Sequence, residues 1–285
     1  MRPTPAGRAC ASAIRSGVRS GSLRQKRAGK GPRGPSSRAA RLASRAVSSY
    51  PLIPMTDLYP TSPDGVAAAR AEILNRIARA AKQAGRSADE IDLVAVSKVQ
   101  PDDRVDAMLA AGQRIFGENR VQEAQKRWAG RRETYPDLQL RLIGPLQSNK
   151  ADDACALFDV IETLDREKLA GALVKAMEKT GRRPALYVQV NTGDEPQKAG
   201  LAVNECVEFV RHCRRDLDLP VEGLMCIPPV EEPAAPHFAL LAKLAARADV
   251  ARLSMGMSSD FELGVQLGAT SMRVGSALFG EREAR

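Results

Sequence analysis

Strand-like and helix-like segments alternate eight times along this chain, and this alternation limits its fold more than any other feature of the sequence. Short apolar runs rich in β-branched residues predict strands that are buried on both faces. Parallel strands need long crossover connections, which are usually helices, so the alternation indicates a parallel sheet. The predicted strands span residues 91–98, 114–118, 138–144, 159–164, 185–191, 221–227, 252–257 and 271–274.

A long helix is predicted ahead of the first strand. It begins at Gly65, presents an apolar stripe of Ile73, Ile77 and Ala80, and stops at Gly85. The remaining helices are predicted near residues 102–111, 120–129, 148–156, 166–180, 203–215, 234–248, 259–267 and 276–283.

Eight βα units in a chain of this length predict a closed (β/α)8 TIM barrel of the α/β class. A doubly wound open sheet is the alternative, but no GxGxxG motif follows the first predicted strand. The chain also lacks a GxxxxGKS or GxxxxGKT motif, which argues against a nucleoside-triphosphate site.

The basic composition belongs to the N-terminal segment and not to the predicted barrel. The formal net charge is +9, but residues 1–56 contain twelve Lys and Arg and no Asp or Glu. The rest of the chain has 31 basic and 34 acidic residues, a net charge of −3, so a nucleic-acid-binding body is not indicated. The sequence predicts a disordered Arg-rich tail at residues 1–54 and one barrel domain at residues 55–285.

Three interpretations of this tail remain open. An Arg- and Ser-rich segment without acidic residues is typical of an organellar transit peptide. A basic arm for nucleic acid or membrane would have a similar composition. We favour a third interpretation, in which translation naturally starts at Met55, because the composition becomes ordinary from there onward.

The cysteines and histidines predict neither disulfides nor a metal site. The five cysteines show no CxxC pairing and follow no secretory segment, so they indicate reduced thiols and a cytoplasmic protein, or an organellar one if the tail is a transit peptide. His212 and His237 share no metal-ligand spacing with them. No apolar run approaches the length of a membrane span.

Polar residues follow most of the predicted strands, at the end of a barrel where function is expected. Ser97-Lys98 ends the first predicted strand, and later strands are followed or overlapped by GENR, GPLQSNK, NTGDEPQKAG, MGMSSD and RVGSALFG. The simplest interpretation of Lys98 is that it marks the point where the strand reaches water. The other polar strand ends make a functional interpretation stronger.

Two of these strand ends are predicted to bind phosphate. Ser258 and Ser259 precede one helix, where Ser259 and Glu262 have the spacing of a capping box, and Gly275-Ser276 opens the last helix. The N–H groups at a helix start stabilise an anion, and the seventh and eighth loops are the usual phosphate position in this fold. The alternative is that these serines only cap helices.

Lys98 would lie across the barrel mouth from this phosphate. A lysine that loses hydration can supply a neutral amine to attack a carbonyl. Two classes of protein fit: a Schiff-base aldolase acting on sugar phosphates, or a protein that holds pyridoxal 5′-phosphate. Arg273, at the end of the eighth strand, could face a pyridine nitrogen and keep it unprotonated, or form a salt bridge at the barrel rim.

The chain resembles the pyridoxal phosphate homeostasis protein family, which is related to the N-terminal barrel of alanine racemase. The resemblance covers residues 65–282 and rests on LVAVSKVQP, GENRVQEAQ, LIGPLQSNK, IETLDREKLA, VNTGDEPQKAGL, GLMCIPP, LSMGMSSDFELGVQLGAT and MRVGSALFGER.

The resemblance implies pyridoxal 5′-phosphate bound as an aldimine on Lys98, with Asn119 and Ile143 flanking the ring and Arg273 facing its nitrogen. It also implies a phosphate site formed by Met257, Ser258, Gly275 and Ser276.

This chain departs from the family pattern at one position. Arg141 stands where the family commonly has His, directly before Leu142-Ile143 on the third predicted strand.

The resemblance also implies a carrier and not an enzyme. Alanine racemase has a second domain that supplies a catalytic tyrosine, and this chain ends about ten residues after the last predicted strand. Racemisation needs a second acid or base on the opposite face of the ring. None of the four tyrosines lies in a strand-end segment.

We therefore expect a protein that buffers the cofactor and hands it on, with no catalytic residues. It would be a monomer, make transient contact with apo-enzymes, and bind neither nucleic acid nor membrane. A weak amino-acid racemase or lyase is the alternative function, and a barrel scaffold without a ligand is a third.

Overall fold

The computed structural model describes residues 63–280, with side chains from residue 65. Within these residues, eight parallel strands form the barrel. They are β1 Asp92–Val96, β2 Ile115–Glu118, β3 Gln139–Leu142, β4 Val160–Leu164, β5 Ala185–Asn191, β7 Val221–Met225, β8 Arg252–Ser254 and β9 Ser271–Val274. The number β6 belongs to a short strand outside this ring, Leu201–Ala202. The predicted tail and the proposed start at Met55 lie outside the described residues.

The sheet closes on itself, which confirms the predicted (β/α)8 barrel. Neighbouring strands pair in the order β1–β2–β3–β4–β5–β7–β8–β9. The ring is completed where β9 pairs with β1, with Ser271 opposite Asp92. Because all pairs are parallel, the carboxyl ends of the strands meet at one mouth of the barrel.

Helices follow the strands as the periodicity predicts. They are α1 Pro63–Gln83, α2 Asp102–Ala110, α3 Val121–Thr134, α4 Ala151–Leu157, α5 Glu167–Thr180, α6 Cys206–Arg215, α7 Ala234–Ala248, α8 Phe261–Gln266 and α9 Ser276–Phe279. Two short 3-10 helices, Ala88–Glu90 and Ser148–Lys150, precede β1 and α4. The predicted final helix, 276–283, is described only as far as residue 280.

Helix α1 covers the place where the first and last units of the barrel meet. Its predicted stripe of Ile73, Ile77 and Ala80 is buried, and the helix packs against α2, α8 and α9. Arg76 on its outer side binds Glu262 of α8 through two hydrogen bonds. The helix therefore ties the start of the barrel domain to its end.

Two boundaries and one additional strand differ from the prediction. Strand β8 ends at Ser254 and not at residue 257, because Gly256 has a φ of 94° and breaks the extended conformation. Helix α3 continues through Gly130 to Thr134, where Arg131 and Arg132 anchor its last turn to Asp106 and Asp159. A short strand that was not predicted, β6 Leu201–Ala202, pairs with the end of β5.

Candidate functional site

A cavity of about 730 Å³ opens at the carboxyl ends of the strands. All eight residues that the resemblance assigns to the cofactor line it: Lys98, Asn119, Ile143, Met257, Ser258, Arg273, Gly275 and Ser276. These residues come from five different strand ends, so only the closed barrel brings them together. A cavity of this size lies within the usual range for small-molecule sites.

Lys98 occupies the second position of a tight turn at the end of β1. The turn runs from Ser97 to Gln100 and is closed by a hydrogen bond from the Gln100 N–H to the Ser97 carbonyl, 3.1 Å long. Lys98 is half-buried, whereas Ser97 beneath it is fully buried. The lysine thus leaves the strand at the cavity wall.

Asn119 and Ile143 follow β2 and β3 on one wall of the cavity. The Ile143 N–H donates to the Glu118 carbonyl at 2.9 Å, which continues the pairing of these strands beyond their ends. A Cβ at Gly144 would lie 2.4 Å from the Asn119 carbonyl oxygen, so the close approach of the two loops requires glycine. The local backbone therefore fixes both predicted ring neighbours side by side.

The predicted phosphate loops are joined by one hydroxyl. Ser258 Oγ accepts hydrogen bonds from the N–H groups of Gly275, at 3.3 Å, and Ala277, at 3.5 Å. Gly275 caps the last helix, as predicted, but α9 is a single turn. Any anion bound there would therefore be held by individual N–H and hydroxyl groups, since so short a helix has little macrodipole.

The predicted capping box of Ser259 and Glu262 is wrong. Helix α8 begins at Phe261, with Asp260 as its N-cap. The Asp260 carboxylate instead accepts a 2.6 Å hydrogen bond from the Met257 N–H. Glu262 turns away to bind Arg76 of α1.

Arg273 lies inside the barrel and not at its rim. Its side chain is 4% exposed, and its guanidinium donates to Ser254 Oγ at 2.5 Å and to the Cys226 carbonyl at 2.8 Å. Ser254 Oγ in turn donates to Glu162 Oε2 at 2.5 Å. The alternative of a salt bridge at the rim does not apply, because buried contacts with Ser254, Cys226 and Glu162 hold Arg273 at the cavity wall.

Arg141 does not line the cavity. It donates to Asp92 at 2.6 Å and to Gln139, the first residues of β1 and β3, and its Nη1 lies 3.5 Å from Glu162. Burial alone lowers the pKa of Arg141, but the acidic partners more than offset this and raise it above its ordinary value. The departure from the family pattern thus lies towards the opposite end of the barrel from the mouth.

Two residues of this interior were missed by sequence reasoning. Glu162 is completely buried between Arg141 and Arg273, and Ser254 is completely buried beside it. A single acidic residue within the apolar run of β4 was the available signal, because buried carboxylates need charged or hydrogen-bonding partners.

Lys198 is a second lysine of the same cavity. Its ammonium lies 2.5 Å from Glu195 and donates to the Pro228 carbonyl at 3.2 Å. Its side chain is 30% exposed. Lys198 is therefore an ion-paired lysine that lines the cavity.

Other chemistry is limited in the described part of the chain. The four cysteines there are free and buried, and burial raises the pKa of Cys155 and Cys206 to about 11 and that of Cys213 and Cys226 to about 12. No cluster of side chains suited to a metal ion occurs among residues 63–280. No helix in this range is both long and apolar enough to cross a bilayer.

Comparison with known proteins gives consistent matches. Residues 71–283 match the family model for the N-terminal domain of alanine racemase. The pyridoxal phosphate homeostasis protein of Pasteurella multocida is 34% identical over 223 residues, which cover 75% of this chain and 96% of the relative.

Solved structures match over a similar range. PipY of Synechococcus elongatus, solved with PLP bound, aligns with a TM-score of 0.65 at 36% identity over 75% of this chain and 100% of PipY. Alanine racemase of Bartonella henselae aligns with a TM-score of 0.59 at 14% identity over 78% of this chain and 62% of the racemase, which shows a shared fold alone. This chain therefore belongs to the pyridoxal phosphate homeostasis protein family and carries an alanine racemase N-terminal domain.

Proposed function

We propose that this protein binds pyridoxal 5′-phosphate covalently through Lys98 and serves intracellular homeostasis of this cofactor by holding it and handing it on. The observation that carries the proposal is that all eight residues assigned to the cofactor line one cavity at the barrel mouth. Family membership and the PLP-bound structure of PipY support the identity of the ligand.

The donor set fits the chemistry of this cofactor. When bound, the cofactor supplies an aldehyde carbon to which a primary amine can bond with release of water, and Lys98 provides such an amine. Ser258 and Ser276 offer hydroxyl donors for a phosphate, and the N–H of Gly275 holds Ser258 Oγ in place. In addition, Gln100 lines the cavity and is 5% exposed, and its Oε1 is buried without a hydrogen-bond partner, which marks a place for a polar ligand group or water.

Arg273 would control the electronic behaviour of the ring. An arginine guanidinium carries a permanent positive charge, so beside the pyridine nitrogen it would leave that nitrogen without a proton and make the ring a poor electron sink. The contacts with Ser254 and Cys226 hold Arg273 in the cavity wall, where it would have little freedom to move aside. This arrangement favours storage of the cofactor over carbanion chemistry.

The titratable groups of the cavity also favour a carrier. Among the described residues that line it, only Lys98, Lys198 and Arg273 are titratable. Tyr187 lies on β5 outside this lining, and burial raises its pKa to about 12. A weak racemase or lyase, the second candidate function, would need Lys198 as the second acid or base, and this lysine is ion-paired with Glu195.

The proposal extends to the compartment, oligomeric state and partners of the carrier. The buried free cysteines of the described region fit a reducing compartment such as the cytoplasm. We propose a monomer that meets apo-enzymes transiently, with the cavity mouth as the place where the cofactor leaves.

A transfer assay tests this function. The loaded protein is mixed with an apo-enzyme that depends on pyridoxal phosphate, and recovery of that enzyme's activity is followed while a trap scavenges free cofactor. A carrier restores activity and shows no turnover of D- or L-alanine, whereas a racemase or lyase consumes or racemises the amino acid. Failure to restore any activity would contradict the carrier function.

A further inference from the structure

The turn that presents Lys98 contains a residue in an unfavourable backbone conformation. Val99 occupies the third position of the Ser97–Gln100 turn with a φ of 53°. This left-handed conformation is common for glycine but is a steric outlier for a β-branched residue. Glycine is the residue that such turns usually place at this position.

The Val99 side chain does little to offset this strain. It is 40% exposed, so it gains only part of the burial that a valine in the core would gain. A strained conformation persists when its surroundings hold it in place, and such strain is concentrated at functional sites. Something other than Val99 itself must therefore stabilise the turn.

Arg127 of α3 binds both ends of the turn. It donates to the Ser97 carbonyl from Nη1 at 2.5 Å and to the Gln100 carbonyl from Nη2 at 2.7 Å. These two carbonyls flank Lys98 and Val99 in the sequence. The planar guanidinium holds its donors at a fixed spacing, so it can fix the distance between two acceptors in a way that a lysine cannot.

Arg127 is in turn held by the buried carboxylate of Glu118. The Glu118 carboxylate is 1% exposed and accepts hydrogen bonds from Arg127 at 3.3 Å, from Ser97 Oγ at 2.8 Å and from Trp128 Nε1 at 3.0 Å. The position of the guanidinium is thus set by the buried carboxylate of Glu118 together with the exposed carboxylate of Asp102, which lies 3.1 Å from Nε.

We propose that Arg127 is a positioning residue for Lys98: it holds the Ser97–Gln100 turn in its strained conformation and thereby sets the amine at the cavity wall. Arg127 is not among the residues that line the cavity. Its effect on the cofactor is therefore indirect. The inference rests on the proposed function only in so far as Lys98 reacts with the cofactor.

The test compares two ligands in Arg127→Gln. Pyridoxal 5′-phosphate reports the covalent reaction at Lys98, followed by the absorbance of the adduct. Pyridoxine 5′-phosphate has the same ring and phosphate but no aldehyde, so its affinity reports the rest of the site. We expect covalent binding to weaken about tenfold, about 1.4 kcal/mol, while the affinity for pyridoxine 5′-phosphate changes less than about twofold.

Arg131→Gln is the matched control. Arg131 lies one turn further along α3, is 20% exposed against 18% for Arg127, and pairs with Asp102 and Asp106, but it does not bind the carbonyls of the turn. Its substitution should leave covalent binding within about twofold of the unmodified protein. Arg127→Lys keeps the charge beside Glu118 and should still show most of the loss, because one ammonium cannot bridge both carbonyls in the same way.

Rescue by Val99→Gly distinguishes positioning from a general structural role. Glycine adopts a positive φ without the steric cost, so the turn would no longer depend on the arginine. Covalent binding by Val99→Gly/Arg127→Gln should return to within about threefold of the unmodified protein. Hydrogen exchange of the peptide that contains the Gln100 N–H should rise in Arg127→Gln and fall again in the double variant, and it is measured without cofactor.

Three results would overturn the inference. Arg127→Gln could bind pyridoxal 5′-phosphate and exchange its turn amides like the unmodified protein. It could instead weaken both ligands equally, or Val99→Gly could fail to restore either measurement. If the unmodified protein forms no covalent adduct, the proposed function fails, and the exchange measurements alone decide whether Arg127 holds the turn.

Discussion

The guanidinium of Arg273 and the carboxylate of Glu162 lie 3.9 Å apart inside the barrel, and the hydroxyl of Ser254 bridges them by hydrogen bonds to both. Arg141 binds the other side of Glu162 and also Asp92. The two guanidinium groups and two carboxylates balance in formal charge. The positive charge of Arg273 at the cavity wall is therefore paired within the barrel interior.

Glu162→Gln should destabilise the protein. The substitution removes one of the two carboxylates that balance the buried guanidinium groups, so only Asp92 remains. Removing one partner of a buried ion pair typically costs about 3–5 kcal/mol of stability. Equilibrium unfolding in denaturant measures the loss. The double variant Arg141→Leu/Glu162→Leu removes one positive and one negative charge together, and it should cost less stability than Glu162→Gln. A free energy of unfolding of Glu162→Gln within about 1 kcal/mol of the unmodified protein would contradict the buried network.

Arg273→Asp tests the electronic role of the arginine. A carboxylate near the pyridine nitrogen would favour its protonation and strengthen the electron sink. We expect lower cofactor affinity, because a cation near the phosphate is lost, together with faster exchange of the amino-acid α-proton per bound cofactor. Deuterium incorporation into alanine, normalised to the absorbance of bound cofactor, gives the rate.

Arg273→Met is the control for this change, since it removes the cation without adding a carboxylate beside Glu162. It should lower affinity with little gain in exchange per bound cofactor. If affinity and exchange per site in Arg273→Asp both equal those of the unmodified protein, Arg273 has only a structural role.

Removal of residues 1–54 should leave folding and cofactor binding unchanged. This segment has few large apolar residues and cannot add much to a core. The melting temperature and cofactor affinity of the shortened and full-length proteins provide the comparison. A large drop in melting temperature would contradict both the disordered tail and the proposed start at Met55.

The sequence predicted the barrel because its signals are local. The apolar runs that became β1 to β5 and β7 to β9 are each bounded by polar or turn-forming residues, and Lys98, Ser258 and Gly275 directly follow or end such runs. In a parallel barrel the ends of all strands meet at one mouth, so position along the chain was enough to bring these residues together.

Long-range partners explain what the sequence could not predict. Glu262 has the spacing of a capping residue, but it binds Arg76, which lies 186 positions earlier in the chain. Glu162 looks like an isolated acidic residue until β3, β8 and β9 place Arg141, Ser254 and Arg273 around it. The residues next to Val99 in the sequence do not indicate its left-handed conformation. The turn is held by Arg127, which lies on α3 and not in the neighbouring sequence.

Lys198 is the expected substitute amine when Lys98 is absent, because both line the same cavity. Its ammonium must first leave Glu195 and the Pro228 carbonyl, so a substitute adduct should form slowly and at low occupancy. Borohydride reduction of Lys98→Ala after long incubation, followed by peptide mapping, would locate it. Lys98→Ala/Lys198→Met should then show no adduct in the cavity, and a residual adduct on another lysine would contradict this assignment.

The most direct test of the account is the site of covalent attachment. The protein is loaded with pyridoxal 5′-phosphate, reduced with borohydride, digested and analysed by mass spectrometry, in parallel with Lys98→Ala. We predict that the reduced cofactor maps to Lys98, and that Lys98→Ala keeps the fold, judged by circular dichroism and melting temperature, but loses the adduct. A folded Lys98→Ala variant that forms a reducible adduct at the occupancy of the unmodified protein would contradict the account.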